Sequence, residues 1–250
     1  MGKSIAAASF PKPFIFDNDR RIKSVVNYWR PRGKEVDYMH ATNYIQVQQK
    51  LESFLSHCPY ETIVYDGFTT GGDMILRTMQ TTRDAGQKKI LRGGIELLQI
   101  EDYGGESQGL KWIIETLKDI SWRQNVHVIC TAHVLETSST NLKTQQTTIS
   151  RSLMTAGKKI AAALPVHFDE AYHFDVQEAF DPSEPPKYTI ITRHVGQDWA
   201  KTALPLPMRV DFTNGSLYDI IMEELEKQGV RSVEYLEKPR DLPTEAEGGW

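Results

Sequence analysis

Met1-Gly2-Lys3-Ser4-Ile5-Ala6-Ala7-Ala8-Ser9, followed by the apolar run Pro13-Phe14-Ile15-Phe16 and the polar triplet Asp17-Asn18-Asp19, is the stretch on which the fold turns. Small, helix-compatible residues follow Gly2-Lys3-Ser4, and a short β-prone run follows them, so the order is glycine turn, helix, strand. Gly-Lys-Ser at the head of a helix is the final third of the pattern G-x-x-x-x-G-K-[ST]. Glycine lets the backbone curl so that N–H groups and the helix N-terminus face a phosphate. Lys3 would bring a point charge to the β- and γ-phosphates of ATP, and the Ser4 hydroxyl would complete a Mg²⁺ shell. The strand and first glycine of the full pattern are expected ahead of Met1. Either the start is assigned too far downstream, which is favoured, or the chain is truncated within the loop.

A tripeptide arises by chance in many chains, so the downstream order has to decide. Thr62-Ile63-Val64-Tyr65 ends at Asp66, and Val126-His127-Val128-Ile129-Cys130-Thr131 ends at Ala132-His133. Both are near-continuous apolar runs, as expected of strands covered by helices on both faces. Tyr188 to Thr192 is a further run, ending at Arg193. Between the runs, Asn43 to Leu55 and Gly109 to Ile120 carry apolar residues at helical spacing. Strands alternating with helices predict an α/β fold with a mainly parallel, doubly wound sheet. An aspartate ending the second run suits Mg²⁺ held through water, and a polar residue ending the third suits a sensor of the γ-phosphate. Gly67 to Gly94 and Glu136 to Arg151 carry few signals of regular structure. One domain over residues 1–237 with a loose tail at 238–250 accounts for the organisation.

These segments resemble the RecA-like ATPases, and within them the phage-encoded RecA-like recombination ATPases of the AAA-domain type. The matching positions run from Gly2-Lys3-Ser4 through Phe14 to Asp19, Thr62 to Asp66, Ile100 to Gly104, Val128 to His133, Leu153 to Lys158, Phe168 to Glu170, and Thr192-Arg193 to Lys201-Thr202. The resemblance implies a RecA-like P-loop NTPase core using ATP and Mg²⁺. It places Asp19 where the family polarises the attacking water, with Asp where Glu is common, and Asp66 at the Mg²⁺-associated aspartate. His133 falls at the polar switch, and the polar stretch from Glu136, with Lys143 and Arg151, at a flexible single-stranded-DNA-binding loop. Arg193 and Lys201 fall where cations reach a neighbouring subunit's nucleotide, which implies a homo-oligomer, ring or filament. The implied function is ATP hydrolysis on single-stranded DNA in recombination or annealing. A non-catalytic DNA-binding subunit on the same fold, or a small-molecule kinase, are the rival readings, although a kinase's arginine-rich lid is not visible between Gly67 and Gly94.

Composition bounds these readings. With 40% hydrophobic and 25% charged residues the 250-residue chain can bury a full core, and it lies far from the disordered regime. A net charge of -4 means that any nucleic-acid surface must be a local patch. Cys58 and Cys130 read as reduced, partly buried thiols, and with no apolar stretch long enough to span a bilayer and no leader the expectation is cytoplasmic. The seven histidines lack zinc-site spacing. Arg20, Arg21, Lys23, Arg30, Arg32 and Lys34, set among Tyr28, Trp29 and Tyr38, read first as a solvated face with a few aromatics turned inward and second as a nucleic-acid surface. Glu101-Asp102 reads as a water-activating pair or, equally, as a helix start.

Overall fold

The structure, a computed structural model, describes residues 2–83, 90–92, 95–140, 147–155, 164–178, 186–194, 200–213 and 215–229. Helix α1 (Gly2–Ala7) leads into strand β1 (Pro13–Asp17), helix α2 (Ile22–Trp29), β2 (Asp37–Met39), α3 (Tyr44–Ser56), β3 (Thr62–Asp66) and α4 (Phe68–Thr81). A two-residue hairpin, β4 (Leu91–Arg92) with β5 (Ile95–Glu96), precedes the long helix α5 (Ile100–Gln124) and β6 (His127–Cys130). Strands β1, β2, β3 and β6 form one parallel sheet in the order β2-β1-β3-β6.

Alternation along the strands explains why both faces are covered. Phe14, Phe16, Ile63 and Tyr65 point to one face and meet Val47, Leu51 and Phe54 of α3, Ile75 of α4 and Leu110, Ile113, Ile114 and Leu117 of α5. Ile15 and Val64 point to the other, against Ala7, Ala8 and the α2 residues Ile22, Val25 and Trp29. Every residue of β1 and β3 is buried, as a doubly wound parallel sheet requires. The α/β class with helices on both faces is thereby established. Helix α3 starts where its sequence dictates: the Asn43 side chain accepts from the Gln46 N–H at 3.0 Å.

Three expectations need correction. The stretch after Gly67 is not irregular: Phe68–Thr81 forms α4, whose apolar side (Met74, Ile75, Leu76) is buried. Its run of Thr and Gly hides the helix from propensity, and packing against the sheet and α5 supplies what propensity withholds. The run ending at Arg193 is not part of the parallel sheet. It forms β10 (Lys187–Ile191), the centre of a separate antiparallel sheet with β9 (His173–Gln177) and β11 (Arg209–Asp211). That sheet packs with α6 (Leu217–Lys227) and Ala6 of α1 around Ile190, Val210, Phe212 and Ile221.

The third correction concerns the polar stretch expected to be a flexible loop. Its described parts pair as an antiparallel ribbon, β7 (Val134–Thr140) with β8 (Thr147–Leu153). Threonine, β-branched and polar, suits a solvated two-stranded ribbon, which is why polarity alone misread it as loop. Lys143 and the tail at 238–250 lie outside the described residues. Among the described residues no helix is long and apolar enough to cross a membrane, and both cysteines are free thiols of intermediate burial.

Candidate functional site

Parallel pairing in register brings the strand ends together. Asp17 of β1 lies opposite Asp66 of β3, and Tyr65 opposite Cys130 of β6, so the residues that follow all emerge at one edge of the sheet. There they meet the first turn of α1. A cleft of about 360 Å³ is lined by Lys3, Ser4, Asp19, Asp66, Thr131 and His133, with Arg21 and Lys23 from the start of α2. Four distant chain segments thus converge on one concavity.

Within the triplet Asp17-Asn18-Asp19 the structure separates the roles. Asp17 is wholly buried and already engaged: its carboxylate accepts the N–H groups of Arg21 at 3.0 Å and Ile22 at 3.2 Å and pairs with His40 Nδ1 at 2.7 Å. It anchors α2 in the manner of a helix cap. Asn18 ties β1 to β3 by donating from Nδ2 to the Asp66 carbonyl at 3.0 Å. Only Asp19 presents its carboxylate to the cleft. The Thr70 hydroxyl donates to its Oδ1, and His133 Nε2 stands 3.7 Å from its Oδ2.

Asp66 is 4% exposed, and its Oδ1 accepts the Thr131 hydroxyl at 2.6 Å. Burial pushes its carboxyl above the ordinary carboxylate range; hydroxyl bonds from Thr131 and Ser4 oppose that rise, and the neighbouring Asp19 and Asp17 charges add to it. Lys3 donates from Nζ to the Ala132 carbonyl at 2.7 Å. Burial lowers its ammonium below the usual lysine value, while the Asp66 and Asp19 carboxylates pull it back up. The pattern is two carboxylates that repel one another, held against one ammonium. Gly2 opens α1 against the Tyr188 ring, where an added Cβ would lie 2.8 Å from Cδ1.

Thr131 receives the Gly67 N–H on its hydroxyl at 2.9 Å and the Phe68 N–H on its carbonyl at 2.7 Å, fastening α4 to the end of β6. The His133 N–H donates to the Thr69 hydroxyl at 3.3 Å. The sequence reading missed Gly67, Thr69 and Thr70, along with Arg21 and Lys23 as cleft residues, and it gave Thr131 no bond to Asp66. A glycine directly after a strand-ending aspartate was the available signal: Gly67 has φ +83°, and a Cβ there would lie 2.6 Å from Asp19 Oδ1.

The remaining expected residues stand apart from this cleft. Arg193, following β10, donates from Nη2 to the Leu206 carbonyl at 3.2 Å. Lys201 pairs through its backbone with Ala171. Arg151, on β8, is paired with Glu136 of β7 at 2.9 Å. Trp29 is turned inward and donates from Nε1 to the Ile5 carbonyl at 3.0 Å, and Arg32 stacks 3.9 Å over the Tyr28 ring, so those two aromatics serve packing, whereas Tyr38 is exposed. Asp102 is a helix-start residue, receiving the Gln99 N–H at 2.7 Å.

No curated protein matches the chain. A family model described as an AAA domain matches residues 1–203, a span that contains every residue of the cleft. That match covers most of the chain and agrees with a lysine, a serine and two carboxylates gathered at the ends of parallel strands: the chain belongs to the AAA domain family, a P-loop NTPase type of nucleotide-binding domain.

Proposed function

We propose that this protein binds Mg-ATP in the cleft and hydrolyses it while acting on single-stranded DNA, in recombination or annealing of the phage RecA-like type. One observation carries the reading: Lys3 and Ser4 share a cleft with Asp66, Asp19 and His133, delivered by the ends of three parallel strands and one helix. Lys3 Nζ would exchange its bond to the Ala132 carbonyl for phosphate oxygens. Ser4 and Asp66 fit Mg²⁺, which takes one or two carboxylates together with hydroxyl, water and phosphate oxygens. The raised Asp66 carboxyl and its repulsion by Asp19 are the condition a divalent cation relieves. Bound Mg²⁺ supplies charge neutralisation at the phosphates. Asp19, steered by the Thr70 hydroxyl, would accept a hydrogen bond from the attacking water and hold it in line.

Coupling to DNA has support in connectivity. His133 stands beside Asp19, and the ribbon β7–β8 begins at the next residue. Its base is closed by the Met154 N–H donating to the His133 carbonyl at 2.8 Å. A shift of His133 on loss of the γ-phosphate would therefore act directly on the ribbon, with Arg151 and Lys143 as its cations. Arg193 and Lys201 lie outside the cleft of their own chain, which suits cations that serve a neighbouring subunit in a homo-oligomer. The deciding measurement is ATP turnover with and without single-stranded DNA. Asp19→Asn should lower turnover by about 10²–10⁴-fold while nucleotide still binds. Binding of DNA with no turnover at any DNA concentration would instead select the non-catalytic subunit.

A further inference from the structure

The cleft contains two cations that the reading above does not use. Arg21 and Lys23, at the start of α2, are exposed and line it beside Asp19. Neither forms an ion pair among the described residues. Of their neighbours in the same basic stretch, Arg32 stacks on the Tyr28 ring and Lys34 donates to the Ser9 carbonyl, while Arg20 and Arg30 do not line the cleft. The backbone that carries Arg21 and Lys23 is fixed nonetheless, because Asp17 accepts the N–H groups of both Arg21 and Ile22. A rigid first turn thus presents two uncommitted positive charges.

The charge balance says what they are for. The Lys3 ammonium faces two carboxylates, Asp66 and Asp19, so it is already offset before any ligand enters. A magnesium-bound triphosphate still carries net negative charge, and the free positive charge lining the cleft is that of Arg21 and Lys23. They follow Asp19 by two and four residues, and a carboxylate that positions water must face the terminal phosphate. A nucleic-acid strand crossing the surface would gain nothing from the two carboxylates lining the same cleft, whereas a magnesium-bound triphosphate uses both. Resting on the nucleotide reading, we infer that Arg21 and Lys23 bind the terminal phosphate of a nucleoside triphosphate within the same chain. They make the site prefer triphosphate over diphosphate without help from a neighbouring subunit. Arginine suits the task because its planar fork takes two phosphate oxygens at once.

The experiment compares ATP and ADP affinity, with Mg²⁺, by displacement of a fluorescent nucleotide. It uses the unaltered chain, Arg21→Ala/Lys23→Ala, its counterpart Arg21→Gln/Lys23→Gln, Lys3→Ala, and Arg30→Ala as a control for charge at the far end of α2. Both side chains are exposed, so thermal melts of the double variants should overlay that of the unaltered chain. The double variants should lose ATP affinity by about tenfold or more while ADP affinity moves by less than about twofold, and Arg30→Ala should change neither. Equal losses for ATP and ADP, or no loss for either, overturn the inference. So does a loss confined to single-stranded DNA binding. If Lys3→Ala weakens both nucleotides, the nucleotide reading stands and such a failure belongs to the inference alone. An unaltered chain that binds neither nucleotide overturns both.

Discussion

Gly67→Ala tests the architecture of the cleft most directly, because a second glycine of the same conformation supplies the control. Gly67 and Gly33 have φ of +83° and +73°. Alanine in that left-handed region costs about 1–2 kcal/mol at either position. Around Gly33 a Cβ would meet nothing within 4 Å, so Gly33→Ala should lose only that backbone term. At Gly67 the Cβ would stand 2.6 Å from Asp19 Oδ1 and 2.9 Å from its Cγ, closer than real Cβ contacts come. Asp19 is the more yielding partner, since it is a side chain held by the Thr70 hydroxyl, so the carboxylate should swing away and that hydrogen bond should break. Breaking a hydrogen bond to a charged group adds about 1.5–3 kcal/mol, giving a total of about 2.5–5 kcal/mol for Gly67→Ala. Denaturant unfolding of the two variants reads the difference. Turnover should separate them further, with Gly33→Ala near the unaltered chain and Gly67→Ala approaching Asp19→Asn. Equal unfolding midpoints, or equal turnover, would show that Gly67 does not position Asp19.

Asp66→Asn should stabilise the folded chain at neutral pH while weakening Mg-dependent nucleotide binding. The raised Asp66 carboxyl means the folded chain holds that proton more tightly than the unfolded chain. Ionisation therefore costs stability above the folded value, and the gain from Asn should vanish as pH falls to about 4, the range of an unfolded carboxylate. Unfolding curves at both pH values check it. Asp102 behaves oppositely: burial would raise its carboxyl, but the Arg83 guanidinium, at 2.6 Å and 2.5 Å from its two oxygens, and the Gln99 N–H outweigh that and hold it below the ordinary value. Its stabilisation is present above the unfolded value and lost as pH falls through the folded one. Both side chains are 6% exposed, so Asp102→Asn should cost about 3 kcal/mol at pH 7 and progressively less below about pH 4. Arg193→Ala or Lys201→Ala should leave unfolding midpoints nearly unchanged and lower DNA-stimulated turnover. Mixing either with Asp19→Asn should restore part of that turnover if the cations act across subunits.

The parts of this site that could be read from sequence are those whose chemistry and position coincide on one residue. A polar residue ending an apolar run must emerge at a sheet edge, so Asp66 and His133 were legible from the length and apolarity of the strands alone. Asp19 was legible only through the resemblance. Asp17 and Asp19 are chemically identical in sequence, and what separates them is that the α2 N–H groups and His40 already occupy Asp17. The supporting residues were not legible for a different reason. Thr70 acts through a hydroxyl whose partner lies 51 residues away in sequence, so no local pattern marks it, and the strand-end position of Thr131 does not reveal that its hydroxyl bonds Asp66, 65 residues away. The helix that carries Thr70 was itself obscured, since Thr and Gly propensities argue against it while burial of Met74, Ile75 and Leu76 creates it. Arg21 and Lys23 failed to stand out for yet another reason: six cations lie within fifteen residues, and composition treats them alike. Tertiary structure sorts them by what each already has. Arg32 has a ring and Lys34 a carbonyl, whereas Arg21 and Lys23 line the cleft with their charge unspent. A basic stretch on an acidic protein is therefore informative only after its members have been sorted by position as well as by partner: Arg20 and Arg30 do not line the cleft, whereas Arg21 and Lys23 do.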